Sequence, residues 1–298
     1  METKSNKQKI IHNPIVKIIL GLVVCVGTVV IGQEIAAKLL EMTPLEKDYR
    51  NLIKGIIVSV LAIGSYKIFF RFYEKREISE LSLNGLAKNI LFGTLIGVAL
   101  QSLTILVIYI AGGFKVLSVN PVSFIIIPLT VAFTVGVFEE ILVRGIIFRI
   151  MEEKLGSYIA LIISALLFGA LHLPNPGSTF VSALCIAVEA GILLGAAYIY
   201  KRNLWFPIAI HFAWNFMQSG VFGAATSGNE NTTSLLNSKI EGAELITGGQ
   251  FGPEGTIQAF VFCLTAGLIL MILNHRQNKL VKPYWKKQKE QTAGVVTA

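Results

Sequence analysis

Strongly polar side chains are rare within the apolar stretches of this sequence, and several of them have the chemistry needed for hydrolysis. They lie in four separate stretches: Glu139, Glu140 and Arg144, then His172, then Glu189, then His211 and Asn215. A charged side chain in hydrocarbon costs at least about 2.5–3.5 kcal/mol, so such residues are functional candidates by default. Glutamate can act as a general base, histidine as a base, acid or metal ligand, and asparagine as a neutral oxyanion donor.

The first stretch contains two adjacent carboxylates whose surroundings must differ. On a helix, Glu140 and Arg144 are four residues apart with the acid nearer the N-terminus, which is the favourable order for an ion pair. Glu139 is rotated about 100° from Glu140 and has no such partner on its own helix. A purely structural ion pair explains Glu140 and Arg144 but leaves Glu139 as a costly unpaired carboxylate. We therefore predict a functional role for Glu139.

The histidines are weaker signals when each is considered alone. A histidine near a helix end, such as His172 before Pro174 and Pro176, is more often an interfacial hydrogen-bonding residue than a catalyst, and the same applies to His211. However, His211 and Asn215 are four residues apart, which places the imidazole and the carboxamide on one face of a helix. Their combination with the glutamate pair indicates a hydrolytic site.

Other intramembrane hydrolase chemistries lack the residues that they need. None of the four histidines is followed by Glu, so the zinc motif HExxH is absent. An aspartyl dyad is impossible because Asp48 is the only aspartate, and neither Ser219 nor Ser227 is a good candidate for a nucleophilic serine.

Membrane-spanning helices are the elements expected to position these residues. The chain of 298 residues is 53% hydrophobic and only 15% charged, whereas a soluble domain carries about 25% charged residues. A helix needs roughly 20 mostly apolar residues to cross a bilayer. We predict an all-α, polytopic transmembrane helix bundle with eight spans, at about 15–34, 52–72, 89–111, 122–150, 157–173, 178–200, 204–223 and 256–274.

The placement of Lys and Arg predicts how these spans are oriented. With a cytoplasmic N-terminus and eight crossings, most of the 26 Lys and Arg residues fall in cytoplasmic segments, where positive charge collects. Both termini are therefore expected in the cytoplasm. The net charge of +8 is then explained by topology, with lipid headgroups as the partner and no role for nucleic acid.

The motifs resemble those of a known family when they are taken together and in order. They are Glu139-Glu140-x-x-x-Arg144, Phe168-x-x-x-His172 and His211-x-x-x-Asn215. This set is similar to the CPBP family of CAAX proteases and bacteriocin-processing enzymes, also called Abi or type II CAAX prenyl endopeptidase-like. The resemblance covers roughly residues 122–224.

The chain is accordingly divided into four regions. Residues 1–121 are interpreted as N-terminal transmembrane helices and residues 122–224 as a CPBP/Abi-like catalytic core. Residues 225–255 are expected to form an external loop, and residues 256–298 the last transmembrane helix with a basic cytoplasmic tail.

The resemblance implies a membrane-embedded endopeptidase with its site in a cavity among spans four to seven. Glu139 corresponds to the residue that activates water, aided by His172. His211 and Asn215 correspond to the pair that stabilises the tetrahedral oxyanion. Glu140 and Arg144 complete the first motif and support it.

The metal requirement stays open at the level of sequence. Glu139, His172 and His211 could bind zinc and leave a position open for water, and a metal-free, glutamate-dependent attack needs the same residues. Straight helices would place these three residues at different depths, so either the span boundaries differ from those given above or a helix is broken or tilted. Irregular backbone is tolerated where it lines a cavity. Glu189, in the sixth span, either hydrogen-bonds into that cavity or is a protonated packing residue.

The expected substrate is a peptide or a lipid-modified protein, in CAAX-type processing, in peptide or bacteriocin maturation, or in immunity. The Lys, Ile and Asn content is typical of a low-GC bacterium, which favours a multi-pass protein of a bacterial plasma membrane. Two alternatives stay open. One is a non-catalytic membrane scaffold that regulates a membrane partner, and the other is a small transporter with a Glu/His proton relay.

Overall fold

The computed structural model describes residues 13–230 and 233–286. The start of the predicted N-terminal region and the end of the predicted basic tail, 1–12 and 287–298, lie outside the described residues. The helices are α1 Pro14–Glu41, α2 Lys47–Tyr73, α3 Leu86–Ile110, α4 Ile126–Glu140, α5 Arg149–Leu171, α6 Phe180–Ile186, α7 Leu193–Lys201, α8 Trp205–Asn215, α9 Glu244–Thr247 and α10 Ile257–Arg276. The predicted all-α polytopic bundle is confirmed, with one small sheet added to it.

Three segments of π-helix continue the α-helices that carry the sequence motifs. They are π1 Ile141–Phe148, which follows α4, π2 Ala187–Ile192, between α6 and α7, and π3 Phe216–Val221, which follows α8. π-Helical turns are rare and are found frequently at functional sites. Each of these three lies beside or contains one of the candidate residues.

Six helices in the described residues are long and apolar enough to cross a membrane, so the chain is an integral membrane protein. They are Pro14–Glu41, Lys47–Tyr73, Leu86–Ile110, Val122–Leu171, Phe180–Lys201 and Ile257–Arg276. The fourth and fifth predicted spans both lie in Val122–Leu171, and the seventh corresponds to α8 with π3, which together are shorter than the others. The count of eight and the cytoplasmic termini stay predictions.

Gly156 explains how one long helical segment contains two predicted spans. Its backbone has φ 77° and ψ 166°, a conformation that interrupts the helix and that glycine adopts without steric cost. The following residue, Ser157, donates its backbone N–H to the carbonyl of Val281 at 3.0 Å. The chain therefore changes direction at Gly156 while its backbone remains hydrogen-bonded.

The two ends of the bundle differ in character. One end, which we call the charged end, is held by ion pairs between different helices. Nζ of Lys17 lies 3.1 Å from Oε1 of Glu74, Nη1 of Arg149 lies 3.0 Å from Oε2 of Glu74, and Arg202 pairs with Glu152. These pairs join α1, α2, α5 and the connection that follows α7.

The opposite end, which we call the loop end, carries the sheet and the longest connection. Strand β1, Phe114–Val119, pairs antiparallel with β2, Leu236–Ile240. Nδ2 of Asn175 donates to the carbonyl of Ser227 at 2.9 Å, so the connection after α5 is joined to the connection after π3. Both connections therefore lie beside each other at this end.

Close backbone contact between α3 and α8 sets the position of the helix that carries the third motif. A Cβ atom at Gly97 would lie 2.4 Å from the carbonyl oxygen of Ile210 and 3.0 Å from the backbone nitrogen of Trp214. Only glycine permits this approach, because any side chain would collide with the backbone of α8. The sequence of α3 thus positions the segment that contains His211.

Candidate active site

A buried ion pair lies at the junction of α4 and π1. Glu140 and Arg144 are 0% and 1% exposed, and Nη1 of Arg144 lies 2.7 Å from Oε1 of Glu140. The pair that the spacing predicts is therefore present. Two charges removed from water in this way are stable only when they are paired and further hydrogen-bonded.

Arg144 also connects π1 to two neighbouring elements. Its Nη2 donates to the carbonyl of Ala190 and, at 3.3 Å, to the carbonyl of Gly191. Both carbonyls belong to π2. The guanidinium carbon lies 5.0 Å from the ring centroid of Phe168 on α5, which is a cation–π distance. The guanidinium is consequently fixed from three helical segments at once.

His211 is oriented by the carboxylate that Arg144 holds. Its Nδ1 lies 3.0 Å from Oε1 of Glu140, and its Nε2 lies 3.9 Å from Oε2 of Glu139. With Glu140 ionised opposite Arg144, Nδ1 of His211 is the hydrogen-bond donor, and the Nε2 edge of the ring faces Glu139. The adjacent glutamates therefore contact the two opposite nitrogens of one imidazole.

Glu139 differs from Glu140 in its surroundings. Its side chain is 29% exposed, against 0% for Glu140, and it lines a cavity of about 310 Å³. Within the described ranges, no Lys or Arg lies within 4.0 Å of its carboxylate. This is the free carboxylate that the motif predicts.

His172 stands at the C-terminal end of α5 with one ring nitrogen already engaged. Its Nδ1 donates to the carbonyl of Phe168 at 2.8 Å, which leaves Nε2 as the available nitrogen. The ring of Phe168 lies between the two histidines, with its centroid 4.8 Å from that of His172 and 6.4 Å from that of His211. In the described part of the chain, His172 and Glu139 are not within 4.0 Å of each other.

One cavity nevertheless brings the four predicted catalytic residues together. Its lining includes Glu139, His172, His211 and Asn215. A further wall comes from one face of α4, where Ile127, Val131 and Val135 precede Glu139 at helical spacing. The cavity therefore extends along α4. Glu139 and His172 both line it, although straight helices would place these two residues at different depths.

The loop that follows π3 contributes residues that the sequence analysis did not select. They are Thr226, Ser227, Asn229, Glu230, Thr233 and Glu254. Oε2 of Glu254 accepts hydrogen bonds from the backbone N–H and the hydroxyl of Ser227, at 2.5 and 3.0 Å. The cavity thus extends beyond the predicted core of 122–224. Nothing in the sequence around Glu254 distinguishes it from a solvated loop carboxylate.

The zinc alternative involves Glu139, His172 and His211, which all line this cavity. Among residues 13–230 and 233–286, no group of three His, Cys, Asp or Glu side chains is placed to hold a metal ion. Nδ1 of His172 and Nδ1 of His211 are both hydrogen-bonded, and each ring keeps Nε2 available. The zinc alternative and the metal-free alternative both stay predictions.

A comparison with known families agrees with this site. Residues 121–217 match the model of the Rce1-like family, described as type II CAAX prenyl endopeptidase Rce1-like. The matched segment is less than half of the chain and includes all three motifs. The resemblance to the CAAX protease family is confirmed over that segment. No curated protein and no solved structure matches the chain.

Proposed function

We propose that this chain is an intramembrane endopeptidase that hydrolyses a peptide bond of a membrane-associated or small peptide substrate. One observation carries the proposal: Glu139, His172, His211 and Asn215, contributed by three helices, line one cavity within a membrane-embedded bundle. The Rce1-like match supports the same reaction class, with a prenylated protein or a peptide as substrate.

Glu139 is the general base of this proposal. It is partly exposed to the cavity, and no Lys or Arg among the described residues lies within 4.0 Å of its carboxylate. It takes a proton from a water molecule while the water oxygen attacks the scissile carbonyl carbon. His172, through Nε2, helps to orient that water. Glu139 then returns the proton to the leaving nitrogen as the C–N bond breaks.

His211 and Asn215 stabilise the oxyanion that forms when the carbonyl π electrons move onto oxygen. Nδ1 of His211 donates to Glu140, so Nε2 becomes a donor when the ring is protonated, and the carboxylates of Glu139 and Glu140 favour that form. The carboxamide of Asn215 adds a neutral donor. Fixed donors of this kind typically contribute about 10²–10³ in rate.

The test is cleavage of a quenched peptide library by the purified full-length protein in detergent. Glu139→Gln and His211→Ala are compared with Glu34→Gln, which changes an exposed carboxylate on α1. We expect the first two variants to lose about 10²-fold or more in rate while the control retains activity. Thermal unfolding confirms that all variants are folded.

Two arms of the experiment address the alternatives. Cleavage that survives a chelator supports the metal-free reaction, whereas loss on chelation that zinc reverses would favour a metalloenzyme. If folded wild type cleaves no peptide, and both active-site variants keep full function in cells, the non-catalytic scaffold replaces the peptidase.

A further inference from the structure

The cavity is lined by acidic groups well beyond the one that the proposed chemistry uses. Its titratable lining residues are the carboxylates Glu139, Glu189, Glu230 and Glu254 and the imidazoles His172 and His211. No Lys or Arg is among the lining residues in the described ranges. The wall around a bound substrate is therefore electronegative, and part of this charge has no role in cleavage.

Glu189 is the most unusual of these carboxylates. It lies on π2 and is 5% exposed, and neither of its oxygens has a hydrogen-bond partner among the described residues. A buried polar group left unpaired costs about 1–3 kcal/mol, and more when it is charged. A position on the wall of a cavity, with both acceptors free, indicates that the missing partner comes from a ligand.

Glu254 lies on the same side of the cavity and is 3% exposed. Burial raises the pKa of its carboxyl, and the hydrogen bonds from Ser227 only partly oppose this rise. The turn that carries Glu254 packs against α6, the helix that continues into π2 and Glu189, and both side chains line the cavity, with His172 as the basic group that interacts with Glu254. Two buried acids thus lie beside the catalytic residues without a full positive charge between them.

We propose that Glu189 and Glu254 form a subsite for a basic side chain, lysine or arginine, of the peptide substrate near the scissile bond. This proposal rests on the endopeptidase function proposed above. A cationic head would give Glu189 its missing hydrogen-bond partner and place a positive charge beside Glu254. The apolar residues beside Glu189 on the cavity wall, Ile186 and Leu193, suit the methylene stem of such a side chain.

A bound metal ion explains the same acidic pair less well. The described residues contain no group of three His, Cys, Asp or Glu side chains placed around a common point, whereas a lysine or arginine head brings its own donors. Charge-assisted hydrogen bonds are roughly twice as strong as neutral ones. The subsite should therefore discriminate by charge and not by side-chain length.

The experiment uses N-acetylated peptides that differ at one position only, which carries lysine, arginine, norleucine or glutamine. The substituted position is moved along both sides of the scissile bond. We measure kcat/KM with the full-length protein, and Kd for the same peptides in the Glu139→Gln background, where binding needs no catalysis. Glu189→Gln and Glu254→Gln are the test variants. Glu34→Gln is the control, because Glu34 is an exposed carboxylate on α1 that does not line the cavity.

At one position we expect lysine and arginine to be favoured over norleucine by about tenfold or more. Glu189→Gln should bring this ratio close to one and Glu254→Gln should reduce it, whereas Glu34→Gln should leave it unchanged. A wild-type ratio near one at every position overturns the subsite even if a variant fails to fold. So does a preference that survives both test variants.

The two proposals fail in different ways. Cleavage without charge discrimination removes the subsite and leaves the endopeptidase in place. If the folded wild type binds lysine or arginine peptides preferentially but does not cleave them, the endopeptidase proposal fails and the cavity remains a cation-binding site.

Discussion

Adjacent glutamates have separate tasks in this site because they point in different directions. Glu140 is fully buried and is shared between Arg144 and Nδ1 of His211, whereas Glu139 meets the cavity and the Nε2 side of the same ring. Glu140 is held in the buried ion pair, and in the proposed reaction Glu139 is the carboxylate that transfers the proton. Glu140 orients the imidazole of His211 through Nδ1, and Glu139 faces Nε2 of the same ring.

Removing one partner of the buried ion pair should lower the stability of the fold more than removing both partners. Arg144→Met leaves Glu140 as an uncompensated buried charge, which costs about 3–5 kcal/mol. We expect the double variant Glu140→Leu with Arg144→Met to be more stable than Arg144→Met alone, although both are inactive. Thermal unfolding in detergent measures the difference.

The matched substitution is Arg144→Lys, which keeps the charge but cannot reach Glu140 and the two carbonyls of π2 together. It should unfold at a lower temperature than wild type. If the lysine variant is as stable as wild type, the pair does not act as described. The same conclusion follows if the stability losses of Glu140→Leu and Arg144→Met simply add in the double variant.

At the scale of elements, π-helical segments adjoin the first and third motifs and contain Glu189. Residue spacing alone predicts the ion pair between Glu140 and Arg144, the separate direction of Glu139, and the shared face of His211 and Asn215. It does not predict π1, π2 or π3, because a widened turn has no local residue signature and arises from the packing of neighbouring helices. The sequence therefore indicates which residues form the site but not how they meet.

The loop after π3 shows a second limit of sequence reasoning. A polar stretch rich in glycine is typical of a solvated connection, and residues 225–255 are interpreted in that way from the sequence. In the structure Glu254 is buried and bonded to Ser227, an outcome set by long-range contacts such as that of Asn175 with the carbonyl of Ser227. Contacts between distant segments leave no periodic pattern in the chain.

The contact between α3 and α8 gives a prediction at this scale. Gly97→Ala places a methyl group against the backbone of Ile210, so α8 must move, at a cost of about 1–3 kcal/mol. We expect a lower unfolding temperature and a reduced kcat, because His211 and Asn215 move with that helix.

Gly64→Ala on α2 is the control, since its added methyl group has no neighbour within 4 Å. Alanine there should leave stability unchanged or raise it by about 0.5–1 kcal/mol. Unfolding temperature and peptide cleavage report both variants. Equal behaviour of the two would mean that close approach of α3 does not position the catalytic helix.

At the scale of the whole molecule, the two ends of the bundle carry different features. Ion pairs of Lys17, Glu74 and Arg149 gather at the charged end, whereas the cavity is lined from the loop end by Asn175 and by residues of the loop after π3. The distribution of positive charge predicts that the charged end faces the cytoplasm. We therefore expect the cavity to open toward the outside of the cell.

Single cysteines introduced at the two ends test this orientation. The natural residues Cys25, Cys185 and Cys263 are buried, so their background reaction with a membrane-impermeant maleimide should be low. Asn229→Cys, at the cavity rim, should react in intact cells. Glu77→Cys, exposed at the charged end, should react only after the cells are permeabilised. The reverse pattern would place the cavity mouth in the cytoplasm.

The small volume of the cavity limits which local structures of a substrate can enter it. About 310 Å³ lies at the lower end of the range for small-molecule sites, so it admits a few residues of an extended chain and excludes an intact helix. Unwinding a helix within lipid exposes backbone groups at several kcal/mol each. Segments that are already unwound at the membrane surface avoid that cost. If the proposed endopeptidase function holds, we expect local folding of the target to act as a kinetic filter that leaves tightly helical neighbours in the same bilayer uncleaved.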